Sequence, residues 1–160
     1  MDFLWSPWRY DYLASGGKRS SSCVFCVDQD ASHDAERLIV FRGTHNFVIL
    51  NLFPYTSGHA MVAPYEHLNN LLAAKPEQLS EMMQLSQRVM SALQNLYRPE
   101  GFNLGMNLGI AAGAGIREHF HLHVVPRWAG DANFMTITGE TRVLPEELSM
   151  TFQRMKAALQ

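Results

Sequence analysis

The chain has 160 residues, 13 basic against 15 acidic side chains for a formal net charge of −2, and an apolar fraction of 47%. Those values predict one folded domain with its own core, and they exclude an intrinsically disordered chain, a basic nucleic-acid groove and a polybasic membrane anchor. No apolar run reaches membrane-spanning length and the opening Met1-Asp2-Phe3-Leu4-Trp5 does not read as a secretory signal, so the expected setting is cytoplasmic, with neither nucleic acid nor membrane as partner.

In chain order, residues 1–22 read as an aromatic arm. Trp5, Trp8, Tyr10 and Tyr12 surround Pro7, and a Gly/Ser-rich loop follows from Ser15 to Ser22. Aromatic density of this kind points to docking on the body or on a second subunit. Cys23-Val24-Phe25-Cys26 comes next. Leu38–Phe41, His45–Asn51 and His59–Pro64 read as strands, with a turn over Phe53–Gly58. Pro76 opens the long helix, at the first helical position where proline is tolerated. Its apolar stripe is Leu79, Met82, Met83, Val89, Met90, Leu93, Leu96 and Tyr97, and Pro99 and Gly101 end it. Phe102–Asn107 reads as a fourth strand, Gly109–Gly115 as a glycine-alanine loop and His119–Val125 as a fifth strand. Pro145–Leu159 reads as a terminal helix with Glu146 and Glu147 in its first turn, where the helix dipole favours anions. The sum is an α+β fold over a single domain, 1–160: a five-stranded, mostly antiparallel sheet, one long helix, a C-terminal helix, the N-terminal arm (1–22) and a C-terminal extension (127–160).

His119, His121 and His123 carry the chemistry. On a strand, residues two apart share a face, so three imidazoles are expected on one side and Phe120, Leu122 and Val124 on the other. Three imidazoles are costly to bury without partners. Two uses fit. One is a metal site with an open position for activated water. The other is nucleophilic attack on phosphorus by an imidazole unprotonated at neutral pH. The preceding glycine loop favours the second, because small residues let backbone amides approach an anion. Satisfied core histidines are the plain alternative. His33 and His45, without a motif, read as surface or loop residues.

The spacing of Cys23 and Cys26 suits half of a zinc site, a redox dithiol, or two inert thiols. A structural zinc needs two further ligands.

The run His119-Phe120-His121-Leu122-His123-Val124-Val125 resembles the signature of the histidine-triad (HIT) family. The segment Asn51-Leu52-Phe53-Pro54-Tyr55-Thr56-Ser57-Gly58-His59-Ala60-Met61-Val62-Ala63-Pro64 resembles that family's asparagine, turn and Gly-His strand. Leu4-Trp5-Ser6-Pro7-Trp8-Arg9, the cysteine pair and the stretch from Val125 to Met135, including Arg127, Trp128 and Asp131, resemble the bacterial branch containing diadenosine tetraphosphate phosphorylases.

That resemblance implies a HIT-like fold and an adenine nucleotide substrate, with diadenosine tetraphosphate the best single guess. His121 would attack the α-phosphorus and form an adenylyl-histidine. The His119 carbonyl would orient it, and His123 and His59 would support the transferred phosphate. Asn51 would meet the ribose, Asn107 the phosphates or bridging oxygen, Gly113, Ala114 and Gly115 would form an amide cradle, and Phe25 would wall the adenine. Zinc would be structural, held by Cys23, Cys26, His67 and His119. No organic cofactor is implied, a divalent cation accompanying the polyphosphate is compatible, and a homodimer is expected. Where phosphoramidase members carry a serine, this chain has Ile116, which points to a leaving group that departs unaided, such as a polyphosphate. Phosphate or water completes the reaction. Two alternatives remain: a non-catalytic nucleotide-binding signalling module, and a zinc-dependent hydrolase using the triad as ligands.

Overall fold

The computed structural model describes residues 23–28, 30–131 and 146–160. The aromatic arm, the Ser15–Ser22 loop and Pro145 lie outside the described residues. Five strands, β1 (Ile39–Arg42), β2 (Asn46–Leu50), β3 (Ala60–Pro64), β4 (Gly101–Gly105) and β5 (Leu122–Arg127), form one sheet in the order β1-β2-β3-β5-β4. Every neighbouring pair is antiparallel. The helices are a short α1 (Asp34–Arg37), the long α2 (Pro76–Tyr97) and α3 (Leu148–Leu159). The α+β expectation therefore holds.

Alternation along the strands sorts the two faces. Val48, Leu50, Ala60, Val62, Leu122 and Val124 point to one side, where α2 and α3 cover them with Met82, Leu85, Val89, Leu93, Met155 and Leu159. Phe47, Ile49, Met61 and Ala63 point the other way and pack with Phe25 and Ile39. On that face, away from α2 and α3, one register row runs Ile39, Ile49, Met61, His123, Gly105 across the whole sheet. His123 thus emerges beside a strand that presents no side chain opposite it.

Pro76 does open α2. Its buried stripe differs from the expectation: Met83 is 53% exposed, and Gln78, Leu85, Ser86 and Ala92 are buried as well. Positions 82, 85, 89 and 93 share a face at helical period, and Met83 lies about 100° round from Met82. The terminal helix begins at Leu148, so Glu146 and Glu147 precede its first turn rather than occupying it. Glu146 instead accepts hydrogen bonds from Tyr97 Oη (2.5 Å) and Thr151 Oγ1 (3.0 Å), tying the end of α2 to α3.

Two contacts fix how α2 meets the sheet. The Glu81 carboxylate accepts the backbone N–H groups of Thr44, His45 and Asn46 at 2.7–2.8 Å and the Asn46 amide at 2.9 Å, pinning the β1–β2 turn. Gly58 has φ +82°, and a Cβ there would sit 2.5 Å from Leu93 Cδ2. Only glycine lets the chain enter β3 this close to the helix.

Candidate active site and metal centre

The histidine segment is not one continuous strand. β5 begins at Leu122, and His119 sits in a bend before it. Phe120 N–H donates to the Leu68 carbonyl (2.7 Å) instead of joining a ladder, and His119 Nε2–H donates to the Pro64 carbonyl (2.8 Å). The three imidazoles therefore do not act as one row: His119 turns to the cysteine pair, while His121 and His123 stay together. Phe120, Leu122 and Val124 are buried under the helices as alternation predicts.

His119, fully buried, belongs to a tetrad. Its Nδ1 lies 3.5 Å from Cys23 Sγ and 3.9 Å from Cys26 Sγ, and His67 Nδ1 lies 3.2 Å from Cys26 Sγ. All four ligand atoms fall within 4.8 Å of one another. Tetrahedral zinc–nitrogen and zinc–sulfur bonds of about 2.0–2.3 Å require ligand separations of about 3.3–3.8 Å, close to those seen. The tautomer also fits. A carbonyl can only accept, so Pro64 fixes the His119 proton on Nε2 and leaves the Nδ1 lone pair toward the sulfurs, the usual outer support of a metal-bound imidazole. Burial, then the adjacent Cys23, pushes the Cys26 thiol above its ordinary pKa. A divalent cation between the sulfurs reverses that preference.

The chain around the pair is anchored for this. Cys26 N–H donates to the Cys23 carbonyl (3.0 Å), closing a tight turn. Downstream, the Arg42 guanidinium grips the Asp34 carboxylate (2.7 Å) and the carbonyls of Asp28 (2.7 Å) and Asp30 (3.2 Å). Phe25, only 2% exposed, packs into the apolar cluster on the sheet face.

His121 is 93% buried, and its Nδ1–H donates to the His119 carbonyl at 3.1 Å. That bond puts the proton on Nδ1 and the lone pair on Nε2. Burial holds the imidazole below its ordinary pKa of 6.5, against the opposing pull of the carbonyl, so it is neutral at pH 7.

His123 and His59 form a second unit. The Tyr55 backbone N–H donates to His59 Nδ1 (3.1 Å), so His59 carries its proton on Nε2. That N–H in turn donates to His123 Nδ1 (2.9 Å). His123 is therefore left with its proton on Nε2. Adjacent members of the triad thus hold opposite tautomers, a lone pair on His121 and a donor on His123. Burial, then the neighbouring His121, lowers the His123 pKa to about 4. The Tyr55 ring packs tilted against His59 at 4.5 Å and lies near-parallel to His123 at 6.1 Å. No residue pattern announces a backbone amide, so Tyr55 escapes sequence reading.

The remaining candidates are distributed unevenly. Asn51 lies beside His59 (Nδ2 to Nδ1, 3.4 Å), and its Oδ1 accepts the Phe53 N–H (2.9 Å). Asn107 follows β4, past the glycine paired with His123, and is half-buried. In the glycine loop, Gly113 N–H donates to Ile110 O (2.9 Å) and Ala114 N–H to Gly109 O (3.2 Å). Those two amides close turns within the loop; the Gly115 amide closes no such turn among the described residues. His33 and His45 are exposed, as expected.

A buried imidazole oriented by a main-chain carbonyl beside a donor imidazole, on the sheet face turned away from α2 and α3, matches a histidine-triad arrangement. The chain belongs to the HIT domain family, whose model matches residues 32–130. Among its relatives, the AP-4-A phosphorylase of Mycobacterium tuberculosis is 42% identical over 154 residues, covering 92% of this chain and 79% of that protein. A Zn-bound histidine triad family protein from Mycobacterium smegmatis superposes with a TM-score of 0.67 at 30% identity, over 88% of this chain and 95% of that one. The diadenosine triphosphate hydrolase of Plasmodium falciparum shares the fold, with a TM-score of 0.62 at 15% identity over 83% and 76% of the two chains.

Proposed function

We propose that this protein cleaves dinucleoside polyphosphates, diadenosine tetraphosphate foremost, by two displacements at the α-phosphorus. The observation that carries this reading is the His121 Nδ1–H bond to the His119 carbonyl, which aims an unprotonated Nε2 outward. In the first step His121 Nε2 bonds to the α-phosphorus, and the bond from that phosphorus to the bridging oxygen breaks, releasing ATP. The Nε2–H of His123 donates to the phosphoryl group as charge builds, and the His119 carbonyl stabilises the cationic imidazole. In the second step inorganic phosphate attacks the adenylyl-histidine and gives ADP, or water attacks and gives AMP. The similarity to an AP-4-A phosphorylase favours phosphate.

Asn51 is assigned to the ribose hydroxyls, Asn107 to the phosphates and Gly115 to an anionic oxygen. The Cys23, Cys26, His67 and His119 tetrad is assigned to zinc, which supplies folding energy rather than chemistry. Among the described residues this tetrad is the one cluster of three or more such ligands drawn together, and it includes a single triad member. That arrangement argues against a hydrolase with zinc on the triad. A homodimer and a cytoplasmic setting complete the proposal; no helix among the described residues is long and apolar enough to cross a membrane. Product analysis tests the reaction. Diadenosine tetraphosphate with inorganic phosphate is expected to give ADP and ATP. AMP and ATP irrespective of phosphate would assign a hydrolase, and no turnover in either condition would leave the nucleotide-binding module.

A further inference from the structure

Of the two residues between the cysteines, Val24 is exposed and Phe25 is buried. The Phe25 ring is 2% exposed, and its centroid lies 4.6 Å from that of His121 and 5.5 Å from that of His119. The His123 ring also abuts His121, 4.8 Å away and nearly perpendicular. The imidazole therefore has three neighbours that hold it: the Phe25 ring, the His123 ring and the His119 carbonyl at Nδ1.

We infer that Phe25 is a positioning residue for the His121 nucleophile, and that through it the cysteine turn controls how that imidazole is presented. An imidazole joined by a single sp³–sp² torsion has a broad, roughly two-fold rotation, so one hydrogen bond alone does not fix its plane. Packing of a rigid ring against it does. Phe25 is itself fixed by its place in the Cys23–Cys26 turn, closed by the Cys26 N–H bond to the Cys23 carbonyl, and by the apolar cluster around Phe47, Ile49 and Met61. The tetrad reaches the nucleophile by two routes, the main chain of His119 and the ring of Phe25. A displacement of about 1 Å at a nucleophile costs on the order of a hundredfold in rate, so a ring that fixes its plane has leverage on kcat.

The inference rests on the assignment of His121 as nucleophile, and its test separates the two. Phe25→Leu and Phe25→Ala are compared with the parent protein in three measurements: nitrogen-15 NMR of the His121 ring, affinity for AMP, and kcat for diadenosine tetraphosphate. A positioning role predicts that the parent shows a single Nδ1–H tautomer, that Phe25→Ala shows averaging between tautomers, and that AMP affinity changes less than about threefold. It predicts kcat falling about tenfold in Phe25→Leu and about a hundredfold in Phe25→Ala. Zinc stoichiometry, read by metal release, should be unchanged in Phe25→Leu, which keeps most of the ring's volume. An unaltered His121 signature in both variants overturns the inference, as does a loss of AMP affinity with kcat intact, which would make Phe25 a base-binding wall. Because the NMR signature needs no substrate, it still judges the inference if the parent protein turns over no dinucleotide.

Discussion

His59 Nε2–H donates to His123 Nδ1 at 2.9 Å, and this single bond decides which nitrogen of His123 carries the proton. Both hydrogen bonds need an acceptor lone pair: the Tyr55 amide donates to His59 Nδ1 and His59 Nε2–H donates to His123 Nδ1. The arrangement has a pH signature. An unfolded imidazole takes a proton near 6.5, whereas His123 in the fold does so near about 4. Between those values the unfolded chain binds more protons. The contribution of His123 to stability is thus complete above pH 6.5 and lost as the pH falls to about 4. Urea unfolding at pH 7.5 and pH 5 should show the parent losing stability on acidification and His123→Gln losing less. An equal loss in both would contradict the assignment of a neutral His123.

The Glu81 carboxylate makes a prediction of the same sign in a lower window. Burial raises its pKa, but the Asn46 amide and the N–H groups of Thr44, His45 and Asn46 outweigh burial and bring the net value below 4.5. Its stabilisation is present above pH 4.5 and disappears as the pH falls through the lowered value. Glu81→Gln should cost about 1–3 kcal/mol at pH 7 and flatten the acid limb of a thermal-melting profile. A variant melting with the parent at pH 7 would show that the β1–β2 turn does not depend on this carboxylate.

Gly58→Ala should destabilise the fold by about 2–4 kcal/mol, from left-handed strain and a methyl driven into Leu93. Because Gly58 immediately precedes His59, activity should fall further than stability alone explains. Chemical denaturation and kcat measured together check both parts.

Removal of the Cys26 sulfur should abolish the metal site while leaving His121 chemically intact. Cys26→Ser is expected to lose bound zinc and to melt well below the parent, with residual turnover at low temperature. Turnover abolished by chelation, with the melting temperature unchanged, would instead place a metal in the chemistry.

The sequence made the sheet face legible because period-two alternation is a local property. His121, His123, Leu122 and Val124 fall where that period puts them. It failed at His119, whose orientation is set by carbonyls of Pro64 and Leu68 more than fifty residues away. The tetrad followed from resemblance and not from spacing, since two of its ligands lie far along the chain. The glycine loop reads as an amide cradle, but a run of small residues carries no information about which amides turn back on carbonyls of the loop itself. Glu81 and Tyr55 gave no signal, because one looks like any helix-surface acid and the other acts through its backbone.

The most direct measurement is mapping of the covalent adduct after rapid acid-free quenching of protein mixed with diadenosine tetraphosphate. An adenylyl group on the peptide containing His121, absent from His121→Asn although that variant still binds AMP, is the result expected. An adduct on His119 or His123, or full turnover by His121→Asn, would contradict the account.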